Sequence, residues 1–113
     1  MDSRPEPPEA RQYPRYRVLA MIRLDFGHEE PLTAETINYS VSGILCRLEV
    51  PLPTGSRVSI LLEFEGVPLA VDALCVRQVE TQEGFEVGLQ ILDLAGEAHQ
   101  KLLEYFEHTS SLA

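Results

Sequence analysis

The chain has 113 residues, of which 44% are hydrophobic and 24% charged, so it can form one domain with a buried core and is not a disordered chain. No apolar run approaches the roughly 18–20 residues of a membrane-spanning helix, and the polar, proline-rich N-terminus does not resemble a signal peptide. We therefore expect a cytoplasmic protein without membrane insertion. The two cysteines, 29 positions apart, predict neither a disulfide scaffold nor a zinc site.

The formal net charge of −9 argues against general binding to nucleic acid or to anionic membranes. The charge is uneven, because residues 1–25 contain five arginines and four acidic side chains, whereas the rest of the chain contains four cations and fourteen carboxylates. Eight of the nine cations are arginine, whose planar guanidinium suits bidentate contacts with phosphate or guanine and stacking on bases. This distribution favours one small anionic ligand over a long polyanion.

Residues 1–10 contain three prolines and little to bury, which predicts a flexible arm. From Arg15 onward apolar residues recur at every second position, which predicts strands. The second strand is expected from about Leu32 to Asn38, and residues 51–55 form a proline-containing loop. In the other five strands the expected inward-facing residues are every second position of 18–24, 44–50, 58–64, 69–75 and 85–91.

The last part of the chain changes to helical spacing. Ala95, Ala98, Leu102 and Phe106 are spaced for one helix face, with Asp93 as the expected N-cap. Six short strands separated by turns favour a closed barrel, because closure removes exposed strand edges. The predicted fold is all-β, a six-stranded antiparallel barrel with a C-terminal α-helix. Its domain spans residues 11–108, between the arm at 1–10 and a C-terminal tail at 109–113.

The sequence offers little for catalysis. The single lysine, Lys101, is not part of a phosphate-binding loop, and neither a GxSxG nor an HExxH motif is present. His99 and His108 are nine residues apart, which places them on opposite helix faces, and both are expected to be solvated. Cys46 and Cys75 lie among apolar residues and are expected to be buried and unreactive. We expect a protein that is not an enzyme and that holds no metal or cofactor.

Two short motifs remain. Arg11 and Arg15 are four residues apart, and Pro14 disfavours a helix, so the two guanidiniums are expected on an extended or bent segment. Alone, this pair is also compatible with a solvated basic patch. The second motif is Asn38-x-Ser40-x-x-Gly43, which on its own is also compatible with a turn in which glycine supplies a positive φ.

Together and in this order, the two motifs resemble the RxxxR and [D/N]xSxxG signature of the PilZ domain family. The resemblance covers nearly the whole chain, including the stretches 53–56, 73–77 and 87–89. It implies a PilZ-like six-stranded antiparallel barrel that binds cyclic di-GMP, a bacterial second messenger. The ligand-binding residues that it implies are Arg11, Arg15, Asn38, Ser40 and Gly43.

Ala10 stands where many relatives carry another arginine, so one ligand molecule per chain is expected rather than two. We expect a receptor whose N-terminal arm becomes ordered on the ligand and presents a new surface to a partner protein. The alternative within the family is an adaptor that acts by protein contacts without binding nucleotide. An oligonucleotide-binding barrel is disfavoured by the acidic charge beyond residue 25 and by the few aromatic residues, so no DNA or RNA partner is expected.

Overall fold

The structure is a computed structural model that describes residues 14–27 and 29–112. In these residues six strands precede one helix. The elements are β1 (Tyr16–Asp25), β2 (Leu32–Tyr39), β3 (Gly43–Leu48), β4 (Arg57–Phe64), β5 (Val67–Thr81), β6 (Gly84–Ile91) and α1 (Glu97–Leu112). All strand pairs are antiparallel, and the strands close a barrel in the order β1–β2–β3–β6–β5–β4. The predicted fold is confirmed. The helix continues four residues past 108, and the predicted arm lies outside the described residues.

The alternating apolar residues form the barrel interior. Val18, Ala20, Ile22 and Leu24 are buried on β1, and most of the predicted inward-facing positions on β3 to β6 belong to the same core. Phe85, at the start of β6, departs from the prediction, because it is only half-buried and lies outside this core. Val50 departs from the predicted alternation, because β3 ends at Leu48 and Val50 is 36% exposed. The buried residue of this region comes from the loop that follows. There Leu52 is fully buried, and its backbone N–H donates to Oε1 of Gln78 on β5.

Helix α1 packs against β1 and β5 with Leu102 and Phe106 buried. The ring of Phe106 lies 4.8 Å, centroid to centroid, from that of Tyr39 at the end of β2, a distance typical of favourable aromatic pairs. No helix in residues 14–27 and 29–112 combines the length and apolar character that crossing a bilayer requires.

The start of α1 differs from the prediction. The expected N-cap, Asp93, lies four residues before the first helical residue, Glu97. Its carbonyl accepts a hydrogen bond from Gly96 N at 3.2 Å, which closes a turn before the helix. Gly96 occupies the N-cap position instead, because its carbonyl accepts the first helical bond, from Gln100 N at 3.2 Å. Ala95 is consequently exposed and outside the helix.

Both cysteines are buried and free, as predicted. Burial raises the pKa of the Cys46 thiol to about 12, so this thiol is neutral at physiological pH. Cys75 donates a hydrogen bond from Sγ to the Leu52 carbonyl at 3.4 Å. Since the thiolate is the reactive form, both side chains act as small core residues.

Candidate functional site

Arg15 joins the two sequence motifs. Its Nε donates a hydrogen bond to Asn38 Oδ1 at 2.7 Å, and its Nη1 donates to Ser40 Oγ at 3.3 Å. The partners are 23 and 25 residues away in sequence. They meet because Arg15 directly precedes β1, whose first residue pairs with the last residue of the antiparallel strand β2. Three predicted site residues therefore share one patch, whereas Arg11 lies outside the described residues.

The segment 38–43, which we call the motif turn, is held by its own hydrogen bonds. Ser40 N donates to the Gly43 carbonyl at 2.8 Å, and Ser42 N donates to Ser40 Oγ at 3.3 Å. Ser40 is buried. Its hydroxyl oxygen accepts hydrogen bonds both from Ser42 N within the turn and from Arg15 Nη1. A further bond from Ile91 N to the Ser42 carbonyl, 2.9 Å long, fixes the motif turn to the end of β6.

A β-bulge directs Asn38 outward. The β2–β3 register shifts between Thr36 and Asn38, and both Thr36 and Tyr39 are buried in the barrel. In a regular strand Asn38 would share the inward face of Thr36, because side chains alternate with a period of two. The extra residue changes the phase. It thus lets Asn38 reach the exposed Arg15 while its neighbour Tyr39 packs on the helix.

Gly43 is required for a close approach between strands. It does not lie in the left-handed region, so the interpretation that it supplies a positive φ is wrong. A Cβ at this position would lie 2.6 Å from the backbone carbonyl oxygen of Leu89 on β6. Glycine is therefore needed for β3 to pair with β6 beside the motif turn. A contact between Gly43 and a ligand stays a prediction.

The guanidinium of Arg15 keeps its charge and is held in one orientation. Partial burial lowers its pKa, but the ordinary value is so high that the group stays charged at neutral pH. The bonds to Asn38 and Ser40 use two of its five N–H donors. The orientation of the group is thus set by the motif turn while donors remain for phosphate or guanine oxygens.

A sequence model of the PilZ domain matches residues 9–108. The chain belongs to the PilZ domain family. No curated protein matches it. Among solved structures, this PilZ domain is similar to the inhibitor of motility MotI/DgrA of Bacillus subtilis, with 20% identity and a TM-score of 0.67, over 86% of this chain and 49% of that one. It thus spans about half the length of MotI.

Two structures of YcgR from Escherichia coli are also similar. The PilZ domain of YcgR with c-di-GMP is 15% identical with a TM-score of 0.62, over 91% of this chain and 93% of that one. YcgR in complex with c-di-GMP is 14% identical with a TM-score of 0.63, over 88% of this chain and 45% of that one. At these identities the likeness establishes the fold.

Within the described ranges 14–27 and 29–112, no group of three or more His, Cys, Asp or Glu side chains is arranged to hold a metal ion.

His99 of the PilZ domain lies behind the motif turn, so the prediction that it is solvated is wrong. It is 2% exposed, and neither ring nitrogen forms a hydrogen bond of normal geometry. Burial lowers the pKa of His99, and the nearby Val41 backbone and Asp93 carboxylate offset only part of this effect. The helical spacing could have predicted this burial, since His99 precedes the core residue Leu102 by three positions and therefore lies on the same helix face.

We expect His99 to make the stability of this PilZ domain sensitive to acid. Its pKa is lowered on folding, so the unfolded chain takes up a proton at higher pH than the folded domain. The free energy of unfolding should therefore decrease as the pH falls below about 6.5, the ordinary histidine pKa. Urea unfolding at several pH values between about 7.5 and 5.5 measures this effect.

The variant His99→Phe should lose this component of the pH dependence, because it cannot take up a proton. The exposed His108 on the same helix provides the control His108→Phe, which should keep it. Equal pH slopes for the wild type and His99→Phe would show that His99 is not the responsible group.

Proposed function

We propose that this protein is a cyclic di-GMP receptor that binds the dinucleotide at the motif turn. The proposed ligand-binding residues are Arg11, Arg15, Asn38, Ser40 and Gly43. The observation that carries the proposal is the pair of hydrogen bonds from Arg15 to Asn38 and Ser40, which unites the two motifs in one polar patch. The structures of YcgR with c-di-GMP support it at the level of the family fold.

The groups in the patch complement the ligand chemically. Cyclic di-GMP has two singly charged phosphates and two guanines, each of which presents O6 and N7 as paired acceptors. The fork of Arg15 can pair with a guanine edge or a phosphate, and its flat face can stack on a base. Asn38 accepts from Arg15 through Oδ1, so its amide N–H donors are available for a base edge. Ser40 holds the turn and can donate to phosphate.

The charge distribution supports a small ligand. Beyond residue 25 the chain has fourteen carboxylates and four cations. A polyanion extending from the patch across the barrel would meet this negative field, whereas a compact dinucleotide can stay beside the arginines. We therefore propose that neither DNA nor RNA is a partner. The protein would act in the cytoplasm, where a soluble second messenger is accessible.

Calorimetric titration with cyclic di-GMP tests this function. We expect micromolar affinity and one ligand molecule per chain, since an intercalated ligand dimer would bring four phosphate charges and Ala10 supplies no additional cation. A single-stranded oligonucleotide at the same concentrations should give no binding heat. Absence of binding to cyclic di-GMP would favour the adaptor that acts without nucleotide, and two bound molecules would contradict the proposed role of Ala10.

We propose that the signal passes to a partner protein when Arg11 and the preceding residues close over the bound ligand. The physical basis is that two guanidiniums on one segment can bind the same anion together only when that segment adopts a single conformation. Amide NMR signals of the non-proline residues within 2–13 should change from flexible to ordered relaxation behaviour on addition of cyclic di-GMP. Equal order with and without the ligand would contradict this route of signalling.

A further inference from the structure

A groove of about 590 Å³ lies on the outer wall of the barrel, and none of its lining residues belongs to the motif turn. Met21, Glu35 and Arg47 are register partners across β1, β2 and β3, and they form its central row. Met21 is 56% exposed, although it is a large apolar residue in the middle of a strand. The groove is also lined by the apolar residues Leu32 and Val50 and by the acidic residues Glu49 and Glu83.

The charge of this groove is negative. Among the described residues that line it, the one cation is Arg47, which lies 2.9 Å from Glu35 and 3.8 Å from both Glu83 and Glu86. These carboxylates more than neutralise the guanidinium. Arg23, the register partner of the lining residue Thr33, is a second cation near the groove. Among the described residues, the four carboxylates of Glu35, Glu49, Glu83 and Glu86 still outnumber these two cations.

We propose that this surface, the acidic groove, binds a segment of a partner protein in which aliphatic side chains alternate with lysine or arginine. Aliphatic groups would cover the exposed apolar residues and release water from them. The flanking cations would meet the carboxylates at the rim, which favours basic partners and rejects acidic ones.

Two other occupants fit the groove less well. Residues 1–13 of the same chain contain no Leu, Ile or Val and carry three acidic against two basic side chains, so they offer neither the apolar nor the cationic component. A second copy of the chain would bring its own negative surface against the groove, since the net charge is −9.

The acidic groove and the proposed ligand site share strand β2. Asn38 lies three residues from Glu35 and six from Leu32, which is about 10 to 20 Å along the strand. A partner in the groove would therefore lie beside a bound dinucleotide without occupying its place. The acidic groove could thus be the surface through which ligand binding reaches the partner, and this role rests on the proposed function, whereas the binding of a basic segment does not.

The test is an NMR titration of the full-length protein, without nucleotide, with a synthetic peptide of alternating leucine and lysine. We expect shift changes concentrated at Met21, Leu32 and Val50, with an affinity that weakens as salt is added. The same peptide with glutamate in place of lysine should cause none. Changes spread over the barrel, an equal response to the glutamate peptide, or a groove already covered by residues 1–13 or by a second copy would overturn the proposal.

Variants separate this inference from the proposed function. The double change Glu49→Lys with Glu83→Lys should weaken the lysine peptide at least tenfold, while Glu63→Lys, an exposed position on β4, should not. Titration of the double variant with cyclic di-GMP should give the affinity of the wild type. If the peptide binds both variants alike, the groove proposal fails whatever the nucleotide result. If cyclic di-GMP does not bind the wild type, the receptor function fails while the peptide result still decides the groove.

Discussion

Replacement of Arg15 by alanine is expected to abolish measurable micromolar binding of cyclic di-GMP. Hydrogen bonds to charged groups contribute about 1.5–3 kcal/mol each, so losing one such contact reduces affinity roughly tenfold to more than a hundredfold. Arg15 also positions Asn38 and Ser40 through its own bonds, so its removal disturbs more than one contact. Isothermal titration calorimetry of the variant measures the loss.

Two control variants make this result specific to the site. Arg23→Ala removes the same side chain from the other end of β1 and should leave the affinity unchanged. Arg15→Lys keeps the charge without the planar fork and should still bind more weakly than the wild type. An affinity of Arg15→Ala close to the wild-type value would refute the assignment of this residue to the ligand site.

The second large effect is expected at Gly43. In Gly43→Ala the new Cβ would lie 2.6 Å from the Leu89 carbonyl oxygen, a distance at which something must move. The clashing atom belongs to the backbone of the adjacent strand, so it cannot rotate away as a side chain could. We expect the free energy of unfolding to fall by about 1–3 kcal/mol, the usual range for overpacking, as measured by urea denaturation.

The neighbouring strand offers a matched control. A Cβ added at Gly88 would lie 3.5 Å from Cβ of Arg77, an ordinary van der Waals contact. Gly88→Ala should therefore change the free energy of unfolding by less than about 1 kcal/mol, and the lower chain entropy of alanine in the unfolded state offsets part of any loss. Equal destabilisation by the two substitutions would show that the contact with Leu89 is not the reason for glycine at position 43.

The barrel could be predicted because its strands are amphipathic. Each strand buries one face, so apolar residues occur at every second position of the sequence, as from Val18 to Leu24 and in the later strands. The departures at Val50, Phe85 and Asp93 are at element ends. There the three-dimensional course of the chain decides which residue is buried or caps a helix, and short-range patterns are weakest.

The proposed site was predicted in part. Arg15, Asn38 and Ser40 were predicted as parts of one ligand site with Arg11 and Gly43, and hydrogen bonds join these three side chains, whereas ligand binding stays a prediction. The mistake at His99 has a different cause. The prediction rested on the opposite helix faces of His99 and His108, although the spacing of His99 from Leu102 indicates a core position. Packing of the helix behind the motif turn buries it.

Residue order alone was sufficient for the strand count, the closed barrel, the terminal helix and the two motifs, because each depends on local periodicity or on residue identity at short spacing. The outward direction of Asn38, the requirement for glycine at position 43 and the burial of His99 depend on register and on contacts between distant segments. A bulge that reverses the phase of β2 leaves no simple pattern in the sequence, since it arises from how one strand is matched to its neighbour. The arrangement of the proposed site therefore follows from the pairing of the strands as well as from the motifs they carry.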